Sequence, residues 1–276
     1  MQAQVWQAGR VLPAVDLSCS LVLRAAGPAA VALQVEGVGA VGDLQVLQGG
    51  ELLRWTDLAT DAGGTTQRFD VVAGEVVIRY AAHRAARNEQ DLAVTELDQL
   101  VARRPSRYCP SDRLGPLAGQ LLGTVPEQPW ERAVAVAEWV HGRLAYVRGS
   151  STGSDGALET LLSGQGVCRD FAHLVVALCR ALDIPARVVA VYAPGLSPMD
   201  FHAVAEVAVD GTWRVLDATG LAPRASLVRI ATGRDAADTA FLTTIGDPVS
   251  LEDYLVLATT VGDLPGDDGT RPVSLP

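Results

Sequence analysis

The clearest pattern along the chain is an apolar stripe with helical spacing that begins just after Cys168. Gly164 and Gly166 interrupt the segment before it, and Ile184-Pro185 ends the pattern. The spacing therefore predicts a helix whose first turn holds Cys168 and whose apolar face contacts a core. The stripe consists of Phe171, Leu174, Val175, Leu178 and Leu182.

After this helix the pattern changes to that of strands, at residues 187–192, 203–209 and 213–216. Asp210-Gly211 is a strong signal for a two-residue hairpin loop between the last two. With that loop, His202 and Asp217 become diagonal neighbours on one sheet face, about 7–8 Å apart at the backbone. A three-residue loop would break this parity, so the prediction depends on the turn.

The earlier part of the chain separates into a region of strands and a region of helices. Apolar stripes predict helices over 114–122, 130–144 and 157–162. Residues 12 to about 95 are typical of an antiparallel β-sandwich, because short strands alternate with turns rich in Gly, Asp and Thr. Its clearest strands are 20–24, 30–35, 51–55, 67–72 and 75–80.

These patterns predict four consecutive segments. Residues 1–100 form a β-rich domain, and residues 101–113, rich in proline, arginine and serine, form a linker. Residues 114–262 form an α+β core. Residues 263–276 are polar and rich in proline and glycine, and they form a flexible tail.

Composition describes an ordinary globular protein and excludes some functions. The 276 residues are 49% hydrophobic and 20% charged, and the net charge of −10 argues against nucleic-acid partners and anionic membrane surfaces. No apolar run approaches the roughly 18 residues of a membrane span. Met1–Arg10 lacks the basic start and apolar run of a signal peptide.

The four cysteines lack the spacing of zinc fingers or disulfide frameworks. Free thiols suit a reducing compartment, so we expect a cytoplasmic location. Cys179 lies on the apolar stripe in mid-helix and belongs to the core. Cys109, beside Pro110, has neither a helix start nor a candidate base.

Cys168 is the candidate nucleophile. A helix N-terminus carries partial positive charge and free N–H groups, which favour a thiolate and could bind the oxyanion formed when that thiolate attacks a carbonyl. The alternative is a small buried cysteine at a helix start.

His202 is the candidate base, and Asp217 is the carboxylate that orients it. Taken singly, His202 could be a structural or surface histidine and Asp217 a turn residue, but their shared face strengthens the pairing.

Several segments resemble the bacterial form of the transglutaminase-like family of papain-type cysteine enzymes. They are Ala145-Tyr146-Val147, residues 164–173 (GQGVCRDFAH), residues 182–187 (LDIPAR), Phe201-His202-Ala203 and residues 213–219 (WRVLDAT). The resemblance implies a Cys168–His202–Asp217 triad in a papain-like α+β core, with the cysteine on a helix packed against an antiparallel sheet. The preceding β-rich stretch is loosely similar to the N-terminal domain of bacterial relatives. One departure is Val204, where the family often has tryptophan, and it puts the shape of the nearby pocket in doubt.

Residues beside the triad are candidates for accessory roles. Gln165 and Val167 are candidate oxyanion or substrate-binding residues, although Gln165 could equally be a solvent-facing loop residue. Asp170 complements the helix dipole in the first turn. His173 lies off the apolar stripe and is interpreted as structural.

Together these features predict a cysteine peptidase or amidase that acts on a peptide or amide substrate through a thioester, without cofactor or metal. An amine acceptor in place of water would give an acyltransferase or crosslinking transglutaminase. The remaining alternatives are a non-catalytic peptide-binding module and a zinc site. The zinc site is disfavoured because no second cysteine or histidine lies at ligand spacing.

Overall fold

The structure is a computed structural model that describes residues 10–60, 63–122 and 126–275. The prediction that Met1–Arg10 is not a signal peptide concerns residues that, apart from Arg10, lie outside the described ranges. Within those ranges no helix has both the length and the apolar character to cross a membrane. The helices are α1 (Glu96–Val101), α2 (Gly115–Leu122), α3 (Pro129–Arg143), α4 (Ala157–Ser163), α5 (Cys168–Ala181) and α6 (Ala236–Thr239), with 3₁₀ turns at Ser111–Arg113 and Arg224–Ser226. The strands are β1 (Val11–Leu12), β2 (Val15–Ala25), β3 (Ala29–Leu33), β4 (Val41–Gln48), β5 (Glu51–Leu52), β6 (Thr56–Ala59), β7 (Thr65–Val71), β8 (Gly74–Arg84), β9 (Arg87–Asn88), β10 (Ala145–Tyr146), β11 (Gln165–Gly166), β12 (Ala186–Tyr192), β13 (Phe201–Val209), β14 (Thr212–Leu216), β15 (Val228–Gly233), β16 (Leu242–Gly246) and β17 (Val249–Thr260).

The first half of the chain builds a β-sandwich, as predicted. One sheet has the strand order β17-β2-β8-β4-β5 and the other has the order β16-β3-β7-β6. Alternate side chains of β2 point between the sheets and are buried, because successive residues of a strand face opposite sides. Strand β4 lies outside the strands that the sequence pattern predicted. The core between the sheets includes Leu21, Leu23, Val31, Leu33, Phe69 and Ile78.

The last two strands lie in this sandwich, whereas the predicted boundaries placed them in the core of residues 114–262. Strand β16 pairs with β3, and β17 pairs antiparallel with β2 along its length, from Val249 opposite Ala25 to Thr260 opposite Val15. Val256 and Ala258 of β17 are buried between the sheets. The physical reason is that β17 covers the edge of β2, which would otherwise present unpaired backbone groups.

The second half contains a four-stranded antiparallel sheet of order β14-β13-β12-β15 with helices packed against it. Helix α5 contacts β13, and its residues from Asp170 to Arg180 are all buried. The predicted helix and its apolar face are thus confirmed. The α+β fold expected from the sequence is confirmed as well.

The hairpin between β13 and β14 has the predicted register. Val209 is paired with Thr212, and Ala205 is paired with Leu216. Asp210 and Gly211 form the two-residue loop with φ values of 51° and 77°. Both values are positive, as the tight hairpin turns that match strand twist require. This register places Asp217 directly after β14 and close to the start of β13.

The end of the predicted flexible tail, residues 273–275, is packed against the core, whereas most of residues 263–271 are exposed. Val273 and Leu275 are only 1% and 2% exposed. The Val215 N–H donates to the carbonyl of Val273 at 2.9 Å, and Arg224 binds Asp267 at 2.7 Å. The reason is that one face of the central sheet is apolar and needs a cover, which this segment supplies.

The predicted linker is also held against the core. The buried Arg180 side chain donates hydrogen bonds to the carbonyls of Ala102 and Arg104 and to the Ser106 hydroxyl, at 3.0–3.1 Å. Cys109 is fully buried. Residues 102–110 therefore form an irregular segment with fixed contacts rather than a solvated loop.

Candidate active site

Cys168 is the first residue of α5, so its backbone N–H has no acceptor within the helix. All four cysteines are described and free, and Cys168 differs from the other three because it is partly exposed. Burial raises the pKa of Cys109 and Cys179 to about 12 each, and that of Cys19 to about 11. Only the Cys168 thiol can therefore meet a substrate without unfolding.

The start of α5 is held in place by Asp170, whose side chain is completely buried. Its carboxylate accepts hydrogen bonds from the Val167 N–H at 2.8 Å and from the Ser151 hydroxyl at 2.5 Å. Arg169 pairs with the same carboxylate at 3.0 Å. A Cβ at Gly166 would lie 2.6 Å from the Asp170 Cβ, so the close approach requires glycine there. These contacts fix the backbone immediately before Cys168.

His202 and Asp217 form the buried pair that the hairpin register predicted. His202 Nε2 lies 2.8 Å from Asp217 Oδ2, and the two side chains are 0% and 2% exposed. The N–H and hydroxyl of Thr219 donate to Asp217 Oδ1 at 2.9 and 2.7 Å. Burial alone would raise the pKa of Asp217, but His202 and the two Thr219 donors lower it below its ordinary value. The carboxylate is thus charged and fixed in orientation.

The other ring nitrogen of His202, Nδ1, is buried and has no hydrogen-bond partner among the described residues. The Cys168 thiol lies beside this imidazole. Burial alone would lower the pKa of His202, but the Asp217 carboxylate and the Cys168 sulfur raise it to about 10. The ring is therefore protonated at neutral pH, and it can hold a positive charge next to a thiolate.

The structure thus brings Cys168, His202 and Asp217 together, although it separates the two accessory candidates from this chemistry. The Val167 N–H is occupied by Asp170, so it is not free to bind an oxyanion. Gln165 lies in β11 and is exposed. The N–H of Cys168 itself, which has no acceptor within α5, is the remaining backbone donor beside the sulfur. The catalytic roles of the three residues stay a prediction.

The Tyr146 side chain also extends to the start of α5 at Cys168, although no role was predicted for it. It lies in β10, which pairs in parallel with β11 so that Tyr146 is opposite Gly166. Its ring packs at a tilt against Phe171 with centroids 6.0 Å apart. Its hydroxyl oxygen lies against the backbone N–H of Cys168. Its place in the matching triplet Ala145-Tyr146-Val147 was the one signal for it in the sequence.

A cleft of about 450 Å³ extends from this position, and Tyr146 forms part of its wall. The loop of residues 193–200, which leads into His202, borders the cleft and is anchored to the sandwich. Asp200 accepts a hydrogen bond from the Tyr254 hydroxyl at 3.1 Å, and Met199 Sδ accepts one from the Ala258 N–H at 3.5 Å. The other lining residues are Val147, Arg148, Leu196, Ser197 and Leu221.

In the part of the chain that the structure describes, no group of three or more His, Cys, Asp or Glu side chains is arranged to hold a metal ion. What the three residues can do chemically is form a thiolate beside an imidazolium whose opposite nitrogen is held by a carboxylate. That arrangement supports nucleophilic attack on a carbonyl carbon with proton transfer by the ring.

Comparison with known proteins supports the resemblance drawn from the sequence. Residues 117–218 match the family model of the transglutaminase-like superfamily. These residues, which include Cys168, His202 and Asp217, form a transglutaminase-like domain.

Two relatives extend the comparison. A candidate cysteine protease of Cytophaga hutchinsonii has a crystal structure that superimposes with a TM-score of 0.84 at 28% identity, covering 95% of this chain and 97% of that one. An uncharacterised protein of Mycobacterium leprae is 32% identical over 104 residues, which are 37% of this chain but only 36% of that protein's length. The first relative shares the architecture over almost the whole chain, sandwich included.

A third structure, the periplasmic domain of TgpA from Pseudomonas aeruginosa bound to ethylmercury, matches at 20% identity. Its TM-score is 0.42, and the match covers 78% of this chain and 92% of that one.

Proposed function

We propose that this protein is a cysteine hydrolase that cleaves an amide bond in a peptide or related substrate through Cys168, His202 and Asp217. The observation that carries the proposal is the imidazole of His202. One nitrogen is 2.8 Å from a buried carboxylate, and the other has no hydrogen-bond partner in the described parts of the chain and lies beside a partly exposed thiol at a helix N-terminus. This is the relation of nucleophile, base and orienting group that acyl-transfer chemistry requires.

In the acylation step the Cys168 thiolate attacks the carbonyl carbon of the substrate, and a C–S bond forms while the carbonyl oxygen becomes an oxyanion. The N–H of Cys168 stabilises that charge, since it is the backbone donor beside the sulfur and has no acceptor within α5. As the C–N bond breaks, the imidazolium of His202 transfers its proton to the leaving amine. The products of this step are a thioester on Cys168 and a free amine.

In the deacylation step water attacks the thioester, and the neutral His202 accepts a proton from that water. The C–S bond breaks, the carboxylic acid leaves, and the thiolate–imidazolium pair is restored. Asp217 holds the ring in one orientation through both steps and stabilises its positive charge. We favour water over an amine as the acceptor because the cleft is open to solvent beside Tyr146, which is 38% exposed, and nothing in the cleft indicates an amine site.

The proposal is tested by following acylation and its fate with p-nitrophenyl acetate as the acyl donor. We expect intact-mass spectrometry to find one acetyl group, located on Cys168, and we expect water to release it. Cys168→Ala should abolish the adduct. Cys179→Ala is the matched control, because Cys179 is fully buried in the same helix and should leave the acetylation unchanged.

The same experiment separates the alternatives. Added putrescine competes with water for the thioester, so predominant formation of acetylputrescine would replace the hydrolase by an amine-accepting transferase. If the wild-type protein acquires no acetyl group on Cys168, the catalytic proposal fails. A peptide-binding module on the same fold then becomes the better interpretation.

A further inference from the structure

Stabilisation of the oxyanion is the part of the proposed chemistry that the triad does not supply. Acyl transfer at a carbonyl commonly uses two donors aimed at the developing charge. Here the Cys168 N–H supplies one, while the Val167 N–H is occupied by Asp170 and Gln165 is exposed on β11. A second donor must therefore come from another element.

Tyr146 meets the positional requirement for that donor. The parallel pairing of β10 with β11 puts Tyr146 opposite Gly166, two residues before Cys168, and the Val147 N–H donates to the Gly166 carbonyl at 3.0 Å. The contact with Phe171, one turn along α5, aims the ring at the helix start. The hydroxyl lies against the Cys168 N–H, and the ring lines the cleft. Phenol and backbone donor are therefore side by side at the sulfur.

The phenol also has the right protonation state. Burial and the neighbouring Cys168 charge raise the pKa of Tyr146 to about 12, so the group keeps its proton throughout the neutral range. In the free protein the phenol oxygen lies beside the Cys168 N–H. The hydroxyl proton can rotate towards an oxygen that enters beside the sulfur, because hydroxyl hydrogens turn to suit their acceptor.

We propose that the Tyr146 hydroxyl is a catalytic oxyanion donor that acts together with the backbone N–H of Cys168. This inference rests on the proposed function and deepens it. When the thiolate attacks, the substrate oxygen gains negative charge between the two donors and accepts a hydrogen bond from each. No proton is transferred from Tyr146, and both hydrogen bonds weaken again when the carbonyl of the thioester re-forms.

The test uses two reactions of the same sulfur in Tyr146→Phe. Acetylation by p-nitrophenyl acetate passes through an oxyanion, whereas alkylation by iodoacetamide displaces iodide at a tetrahedral carbon and forms no oxyanion. Loss of one donor should slow acetylation about 10²-fold. The alkylation rate should stay within about twofold, since no interaction specific to that reaction is lost.

Tyr108→Phe is the matched control. Its hydroxyl donates to the Gly153 carbonyl at 3.0 Å on the exposed side of the protein, so its removal should change neither rate.

Two results would overturn the inference alone. One is acetylation of Tyr146→Phe at the wild-type rate or faster, because the phenol would then be either irrelevant or a block. The other is an equal fall in both rates, which would show an effect on the thiolate or the fold. A wild-type protein that is not acetylated, or is acetylated as fast after Cys168→Ala, would overturn the proposed function and this inference together.

Discussion

The same three residue types, cysteine, histidine and aspartate, come together twice in this protein, with opposite physical properties. The first group is Cys168, His202 and Asp217. The second is Cys109, His173 and Asp235, a buried cluster in which the charge of Asp235 acts on both other members. The two groups differ in the exposure of the thiol and in the partners of the imidazole and the carboxylate.

The two histidines differ in what their nitrogens bind. His202 Nε2 faces a carboxylate oxygen at 2.8 Å, whereas His173 Nε2 accepts the backbone N–H of Ala236 at 3.1 Å. Burial lowers the pKa of His173 to about 4, because the charges of Asp235 and Asp170 offset desolvation only in part. The pKa of His202 is raised to about 10. One ring is a cation at neutral pH, and the other is a neutral acceptor that holds the start of α6.

The two aspartates differ in a similar way. Asp217 uses one oxygen for His202 and the other for Thr219. Asp235 uses both oxygens for backbone N–H groups, those of Tyr108 at 3.0 Å and Ala237 at 2.9 Å. Asp235 therefore links the segments that contain Tyr108 and Ala237, and it does not keep His173 in the charged form. Residue type alone does not define a triad; the partner of the imidazole does.

The largest difference between the two groups should follow from removal of the thiol. Cys168→Ala should lower the rate of p-nitrophenyl acetate hydrolysis by about 10⁴-fold or more, because the nucleophile is lost. Cys109→Ala should leave that rate within about twofold and instead lower the free energy of unfolding by roughly 1–2 kcal/mol, as a buried side chain is truncated. Equal loss of activity in both variants would remove the distinction.

Loss of the carboxylate charge should have the next largest effect. Asp217→Asn should slow acetylation of Cys168 by about 10²-fold. A serine triad loses about 10⁴-fold in such a change, and we expect a smaller loss here because a thiol ionises more readily than a serine hydroxyl. Asp235→Asn can still accept hydrogen bonds from Tyr108 and Ala237, so we expect acetylation within about threefold of wild type. Stopped-flow release of p-nitrophenol measures both rates.

A smaller effect should come from Thr219, which acts only through Asp217. Thr219→Val keeps the shape but removes the hydroxyl that donates to Asp217 Oδ1 at 2.7 Å. We expect about a tenfold slower acetylation, in keeping with one hydrogen bond to a charged group. Thr239→Val removes a 3.3 Å bond to the Asp235 carbonyl in the other cluster, and it should leave the rate unchanged. If Thr219→Val is acetylated as fast as wild type, the hydrogen bond from Thr219 does not help to position Asp217.

The two histidines should give stability opposite dependence on pH. The folded pKa of His202, about 10, lies above its ordinary value of 6.5, so its contribution is full below pH 6.5 and is lost as pH rises towards 10. The folded pKa of His173, about 4, lies below that value, so its contribution is present above pH 6.5 and is lost as pH falls towards 4. Urea unfolding of His202→Gln and His173→Gln across this range, each compared with wild type, measures the two trends. Parallel trends would contradict the assignment of opposite charge states.

Local patterns were sufficient to predict much of the site. The stripe from Phe171 to Leu182 located the helix start at Cys168, and Asp210-Gly211 set the register that pairs His202 with Asp217. Both signals act within a few residues, where side-chain period and turn geometry decide the structure. The closeness of Cys168 to His202 did not follow from spacing and came from the family resemblance.

Long-range features could not be predicted in the same way. The pairing of β17 with β2 joins residues more than 200 positions apart, and nothing in either strand specifies its partner. The packing of Val273 and Leu275 depends on an apolar sheet face that only the assembled fold presents. Tyr146 was missed for the same reason, since its position at Cys168 arises from the pairing of β10 with β11.

The central claim is that Cys168 and His202 form an activated thiolate–imidazolium pair, and the most direct measurement is the rate of Cys168 alkylation by iodoacetamide against pH. The account predicts rapid alkylation in the wild-type protein already at about pH 6, well below the range near 8.5 in which ordinary thiols ionise. It also predicts that His202→Ala slows this reaction strongly at that pH. If Cys168 instead reacts only as ordinary thiols do, and equally in both proteins, the pair does not exist and the protein is not the enzyme proposed.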